Sequence, residues 1–216
     1  MAVVVFPGSN CEQDVVHALR AEGADSDYAW HGDSGLGGAD AVVLPGGFAH
    51  GDYLRTGAIA PFSPVMDAVR DLATSGGPVL GICNGFQILT EARLLPGALN
   101  KNIGLRFLCV WTELEVLDTD TIATRACEVG QRLRIPINHY EGNYTPPSDG
   151  DVRIAFRYVD NPNGAWNDAA GIANDAGNVV GMMPHPERAS EDWLGSADGR
   201  AVLASLVESA RVSVSA

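Results

Sequence analysis

The chain has 216 residues, of which 46% are hydrophobic and 19% charged. That content suits one domain with a full core and excludes a disordered chain. A formal net charge of −13 excludes a nucleic-acid surface, which needs clustered Lys and Arg.

Residues 2–6 form a continuous apolar run, mostly valine, and predict a buried first strand. No basic signal region precedes it, and no apolar run approaches membrane-spanning length, so a cytoplasmic protein is expected. Pro7-Gly8 turns the chain. Asn10 stands where it would cap a helix starting at Cys11, with Gln13 three residues later as in a capping box. Val15, Val16, Ala18 and Leu19 give that helix an apolar face, and Gly23 follows its end. Residues 27–30 predict a second strand and 32–38 a loop. Residues 41–44 predict a short buried strand halted by Pro45-Gly46-Gly47. Residues 60–74 read as one helix. Gly76-Gly77-Pro78 then leads into a buried strand over 79–82 and a helix over 86–92.

The middle of the chain has a different texture. Residues 106–111, 113–117 and 132–137 read as antiparallel strands, 139–144 as a loop and 151–158 as a further strand. The last strand is 179–183, ending at Pro184. Residues 199–211 read as a closing amphipathic helix and 212–216 as a frayed tail. Alternating strands and helices predict an α/β fold. A layered, mostly parallel central sheet is flanked by helices, with a smaller antiparallel sheet, in one domain over residues 1–216. In such sheets chemistry gathers beyond the carboxyl ends of the strands. Residues 7–10, residues 45–52 and the junction at Cys83 meet that condition.

Cys83 sits between the strand and the helix in the pattern Gly81-x-Cys83-x-Gly85. This is a nucleophile elbow with sulfur in place of hydroxyl. The glycines relieve crowding at a sharp turn, and the cysteine is held in a strained conformation at a helix N-terminus, which favours a thiolate. A thiol nucleophile needs a base and a group to orient the base. Of five histidines, His185 stands out in Met183-Pro184-His185-Pro186-Glu187. It follows a strand end, and Glu187 lies two residues on, on the same side of an extended segment. A metal pair is the other chemistry open to these two, but no further ligand cluster accompanies them in the sequence. His17 falls on the exposed side of the first helix and His31 in a loop without notable neighbours. His50 and His139 sit in glycine-containing loops within reach of a ligand. The oxyanion donors expected are the amide of Asn84, which follows the nucleophile, and that of Gly47 in a neighbouring strand-end loop. Cys11 is the rival thiol, without the flanking glycines. Cys11, Cys83, Cys109 and Cys127 form no Cys-x-x-Cys pair, so free thiols and no metal site are expected.

Three separated blocks now stand in order: Leu44-Pro45-Gly46-Gly47-Phe48, Gly81-Ile82-Cys83-Asn84-Gly85-Phe86-Gln87 and Pro184-His185-Pro186-Glu187. Together they resemble the class I glutamine amidotransferases. Further stretches are similar to the glutaminase subunits of phosphoribosylformylglycinamidine synthase within that class. They are residues 5–11, 51–58, 84–89 and 156–158 with 161–164. Two departures are a tyrosine, Tyr140, where the family usually has glycine, and a shortened segment over 144–151.

The resemblance implies that Cys83 attacks glutamine, that His185 oriented by Glu187 moves the protons, and that Gly47 and Asn84 hold the oxyanion. It implies that Phe48, Gln87, His139 and Tyr140 line the glutamine site, with Glu141 in the same loop, and that Arg55 and its neighbours face a partner. The implied partners are a synthetase subunit and a small accessory subunit, with no nucleic acid and no membrane. No cofactor is expected on this chain, which has no phosphate-cradling Gly-x-x-x-x-Gly-Lys; ATP and magnesium are expected on the synthetase. The residues by themselves support thiol chemistry on an amide or ester. On them alone a stand-alone cysteine hydrolase, or a binding subunit that kept the fold, stays open.

Overall fold

Short runs of valine, leucine and isoleucine, nearly all fully buried, build the centre of the molecule. The computed structural model describes residues 1–213. In chain order the elements are β1 (Ala2–Val5), α1 (Glu12–Ala21), β2 (Asp27–Trp30), β3 (Val42–Leu44), α2 (Val65–Thr74), β4 (Val79–Ile82) and α3 (Asn84–Glu91). There follow β5 (Ala98–Asn100), β6 (Leu108–Val116), β7 (Arg132–His139), β8 (Asn143–Thr145), β9 (Arg153–Tyr158), β10 (Ala169–Ala173), β11 (Val179–Met182) and α4 (Gly199–Ser213).

One nine-stranded sheet runs in the order β2-β1-β3-β4-β11-β10-β9-β6-β7. The half from β2 to β11 is parallel, and β3, β4 and β11 are buried along their whole length. Burial on both faces is what a parallel sheet requires, and it explains why these strands are unbroken apolar runs. From β10 onward the pairing is antiparallel. A separate two-stranded antiparallel sheet joins β5 to β8. Helix α3 packs over β3, β4 and β11, and α1 packs on α4. The expected layered fold is therefore present.

Several local expectations are corrected. Asn10 caps nothing: α1 starts at Glu12, and its N-cap position, Cys11, makes no side-chain cap bond. The Asn10 and Cys11 amides instead bond the Gly46 carbonyl, at 3.5 and 3.3 Å, which ties this turn to the neighbouring strand end. The single helix over 60–74 is broken. Ser63 is extended, as a residue before proline prefers, so a 3-10 turn at Ala60–Phe62 precedes α2. The strands expected at 106–111 and 113–117 are one strand, β6, carried through Thr112 by its pairing with Ile135. β7 runs on to His139, which therefore ends a strand and does not lie in a loop. β5, β8 and β10 were not expected. The closing helix extends through Val212 to Ser213, so that part of the expected tail is helical; residues 214–216 lie outside the described residues.

Candidate active site

The elbow is built as its glycines demand. Cys83 has φ 50° and ψ −104°, a conformation that a non-glycine residue holds only under constraint. Its amide donates to the Met182 carbonyl at 2.7 Å, fastening the turn to β11. A methyl group at Gly81 would come within 2.6 Å of Leu89 Cδ1, and one at Gly85 would run into the Leu44 carbonyl. Helix α3 starts immediately at Asn84, two residues earlier than its apolar run suggests. The amides at its first turn have no helical partner, which leaves donors free next to the nucleophile.

The carboxyl ends of β1, β3, β4, β7 and β11 converge on one narrow pocket of about 80 Å³. Gly47, Phe48, Cys83 and Gln87 line it, as do His139, Tyr140 and His185. All seven were expected at the site. Asn84 and Glu187 stand behind this lining as supports. A larger cavity, about 650 Å³, lies around Met1, Asp27 and Arg211 and holds none of the expected residues.

His185 Nδ1 and Glu187 Oε1 are 2.6 Å apart, both side chains buried. The expected extended segment is instead a 3-10 turn over Pro186–Ala189 that starts at His185, and this curvature brings the carboxylate to the ring. Burial acts against a charged His185. The negative charges of Glu187, then Cys83, with the neighbouring sulfurs of Cys11 and Cys83, nevertheless hold its pKa well above the ordinary histidine value. Among the described residues, Nε2 of His185 has no hydrogen-bond partner. The Cys83 thiol points to the Asn138 carbonyl, 3.6 Å away. This is an imidazole fixed on one side by a carboxylate and facing a strained thiol on the other.

Cys11 is not remote from this chemistry. Its sulfur accepts from Arg188 Nη2 at 3.1 Å. Ligand atoms of Cys11, His185 and Glu187 lie within 4.8 Å of one another, a cluster the sequence did not disclose because Gly46 brings Cys11 to the histidine only in the fold. Arg188 already supplies a positive charge there, and Nδ1 of His185 is committed to Glu187.

The Asn84 side chain braces the opposite wall. Its carbonyl accepts from the Ala49 amide at 3.0 Å, and its amide donates to Gln87 Oε1 at 2.9 Å and Asp52 Oδ1 at 3.3 Å. Gln87 donates onward to the Glu141 carbonyl at 2.6 Å, so it fixes the wall it was expected to share with substrate. His139 is buried with both ring nitrogens unbonded. Burial, then the charge of His185, push its pKa down to about 3, so it is neutral at working pH. Gly142 lies so close to the ring that a methyl there would clash with it. Phe48 and Tyr140 are partly exposed at the mouth, and Lys101 Nζ lies 6.0 Å from the Tyr140 ring centre.

His50 is not at the pocket. It meets His31 edge to face at 5.2 Å, and both rings reach Ser63 Oγ, at 3.2 Å from His31 and 3.4 Å from His50. His31 also packs on Trp30, so it has the neighbours it was expected to lack. His17 is exposed and pairs with Glu191 at 3.2 Å. Asp52, Thr56 and Arg188 line the pocket without having been singled out as site residues; their loops carry no periodic signal.

Residues 1–205 match the family model of the CobB/CobQ-like glutamine amidotransferase domain. The chain is 51% identical to the phosphoribosylformylglycinamidine synthase subunit PurQ of Rubrobacter xylanophilus, over 98% of this chain and 99% of that one. It is 53% identical to the same-named subunit of Moorella thermoacetica, over 95% and 94%. A chain in the solved structure of PurLQS from Thermotoga maritima superposes with a TM-score of 0.92 at 44% identity, covering 96% of each chain.

Proposed function

This chain belongs to the CobB/CobQ-like glutamine amidotransferase family, and from that premise we infer that it is the glutaminase subunit of a phosphoribosylformylglycinamidine synthase. It releases ammonia from glutamine in purine biosynthesis. A synthetase subunit spends ATP to use that ammonia, converting formylglycinamide ribonucleotide to formylglycinamidine ribonucleotide. The relative in the PurLQS assembly supports a synthetase and a small accessory subunit as partners. Among the described residues no helix is long and apolar enough to cross a membrane. The chain acts in the cytoplasm as one amidotransferase domain over residues 1–216, and ATP and magnesium belong to the synthetase.

The observation that carries this reading is the strained Cys83 thiol sharing a pocket with the Glu187-braced His185 in a chain so similar to PurQ subunits. The thiolate of Cys83 attacks the side-chain amide carbon of glutamine. The amides of Asn84, the first residue of the helix after the nucleophile, and of Gly47, in the strand-end loop that lines the same pocket, receive the oxyanion. His185, protonated, gives its proton to the departing nitrogen, and ammonia leaves. Water then adds to the thioester with His185 as base, the C–S bond breaks, and glutamate departs with the thiol restored. Phe48, Gln87, His139 and Tyr140 line the glutamine site.

The pocket is far below the roughly 300–1,000 Å³ of a drug-sized site, which favours a single amide side chain over a peptide. In the reconstituted synthase, Cys83→Ala should abolish glutamine-dependent product formation. Synthesis from added ammonium should continue. Glutamate release by the wild-type chain should be weak alone and rise with the synthetase and its nucleotide substrate. Glutamine-dependent turnover in Cys83→Ala would refute the assignment.

A further inference from the structure

The pocket holds two carboxylates that the chemistry at sulfur does not use. Asp52 and Glu141 both line it, on the wall that Gln87 and Asn84 brace. Thr56 Oγ1 donates to Glu141 Oε2 at 2.6 Å, and Asn84 Nδ2 to Asp52 Oδ1. These are neutral donors, so the two negative charges are oriented but not neutralised. Arg188, the cation lining the pocket, is turned to Cys11 and Asp14. The backbone that delivers Asp52 is contorted: His50, Gly51, Asp52 and Leu54 all have φ between 51° and 74°.

We propose that Asp52 and Glu141 form a clamp for the α-ammonium group of the substrate, which makes the pocket specific for an α-amino acid amide. An ammonium group offers three donors and one positive charge, the complement of two paired carboxylates. The pocket gives independent evidence of an unmet ligand. His139, 3% exposed and on the same lining, keeps both ring nitrogens unbonded. Being neutral, it does not compete with an ammonium group for the carboxylates. Burial, then repulsion by Glu141, raise the Asp52 pKa to about 6, against hydrogen bonds from Asn84 and Gly57, as expected of a like-charged pair awaiting a cation.

The clamp rests on the glutaminase reading, and the test separates the two. The complete synthase is assayed with glutamine and with glutaramate, which is glutamine with its α-amino group replaced by hydrogen. Where glutaramate turns over too slowly, its inhibition constant is compared with the KM for glutamine. The wild type should prefer glutamine by roughly 10- to 100-fold, the range for a charge-assisted hydrogen bond. Asp52→Asn and Glu141→Gln, which keep shape and hydrogen bonding, should each move that preference toward parity, mainly through KM. Two outcomes overturn the clamp: the variants keep the full preference, or they lose both substrates in equal measure. A wild-type synthase that does not use glutamine, or a Cys83→Ala synthase that does, would overturn the glutaminase reading itself.

Discussion

Asp52 illustrates a residue held at a cost to the fold. Its pKa of about 6 means the folded pocket disfavours the carboxylate relative to the unfolded chain, where the ordinary value is 3.8. The native state therefore binds more protons than the unfolded state between those values, and stability falls as pH rises through that window. Above it the penalty is fully present. Asp52→Asn should raise stability at pH 8, by on the order of 1 kcal/mol once solvent screening of this half-buried group is discounted. The gain should vanish near pH 4. Thermal or denaturant unfolding of both proteins at the two pH values measures it, and an equal effect at both would contradict this origin. The same change weakens glutamine use, so stability and activity oppose each other at this position. His185 has the opposite sign. Its raised pKa contributes stability below the ordinary histidine value, and that contribution is lost as pH climbs through the raised one.

At the scale of elements, the site depends on close backbone approach. Helix α3 lies against the end of β3 because Gly85 has no side chain. Gly85→Ala would drive a methyl into the Leu44 carbonyl and displace the helix start, with Asn84 and Cys83 on it. A loss of roughly 1–3 kcal/mol is expected from the overpacking alone. Glutaminase activity should fall further than the stability loss explains, because the elbow itself moves. Circular dichroism melting and turnover of the same preparation test both halves.

What the sequence disclosed at this scale follows from the same physics. β1, β3, β4 and β11 are buried on both faces, so each reads as an unbroken apolar run and each was found. β10 is equally buried, yet its Ala169-Ala170-Gly171-Ile172-Ala173 carries little strand propensity and gave no signal. β5 and β8 are three residues each and exist only through their mutual pairing. That Cys83, His185 and Glu187 would gather at one site was legible because each stands in a distinctive local motif. Cys11 beside His185, and Asp52 beside Glu141, were not legible as neighbours, since loops far apart in the chain bring them together.

Over the whole molecule, the parallel half of the sheet is a device for convergence. β1 delivers Cys11, β3 delivers Gly47 and Asp52, β4 delivers Cys83, and β11 delivers His185, all at their carboxyl ends. The antiparallel half adds β7, which ends at His139 and sets the other wall. The central claim is that this convergence makes Cys83 the nucleophile toward glutamine. The most direct measurement is mass-spectrometric mapping of the site labelled by an electrophilic glutamine analogue, with and without the synthetase and accessory subunits. Modification should fall on Cys83, quicken in the complex, and be blocked by excess glutamine. Labelling at Cys11 in place of Cys83, or none on this chain even in the active complex, would contradict it.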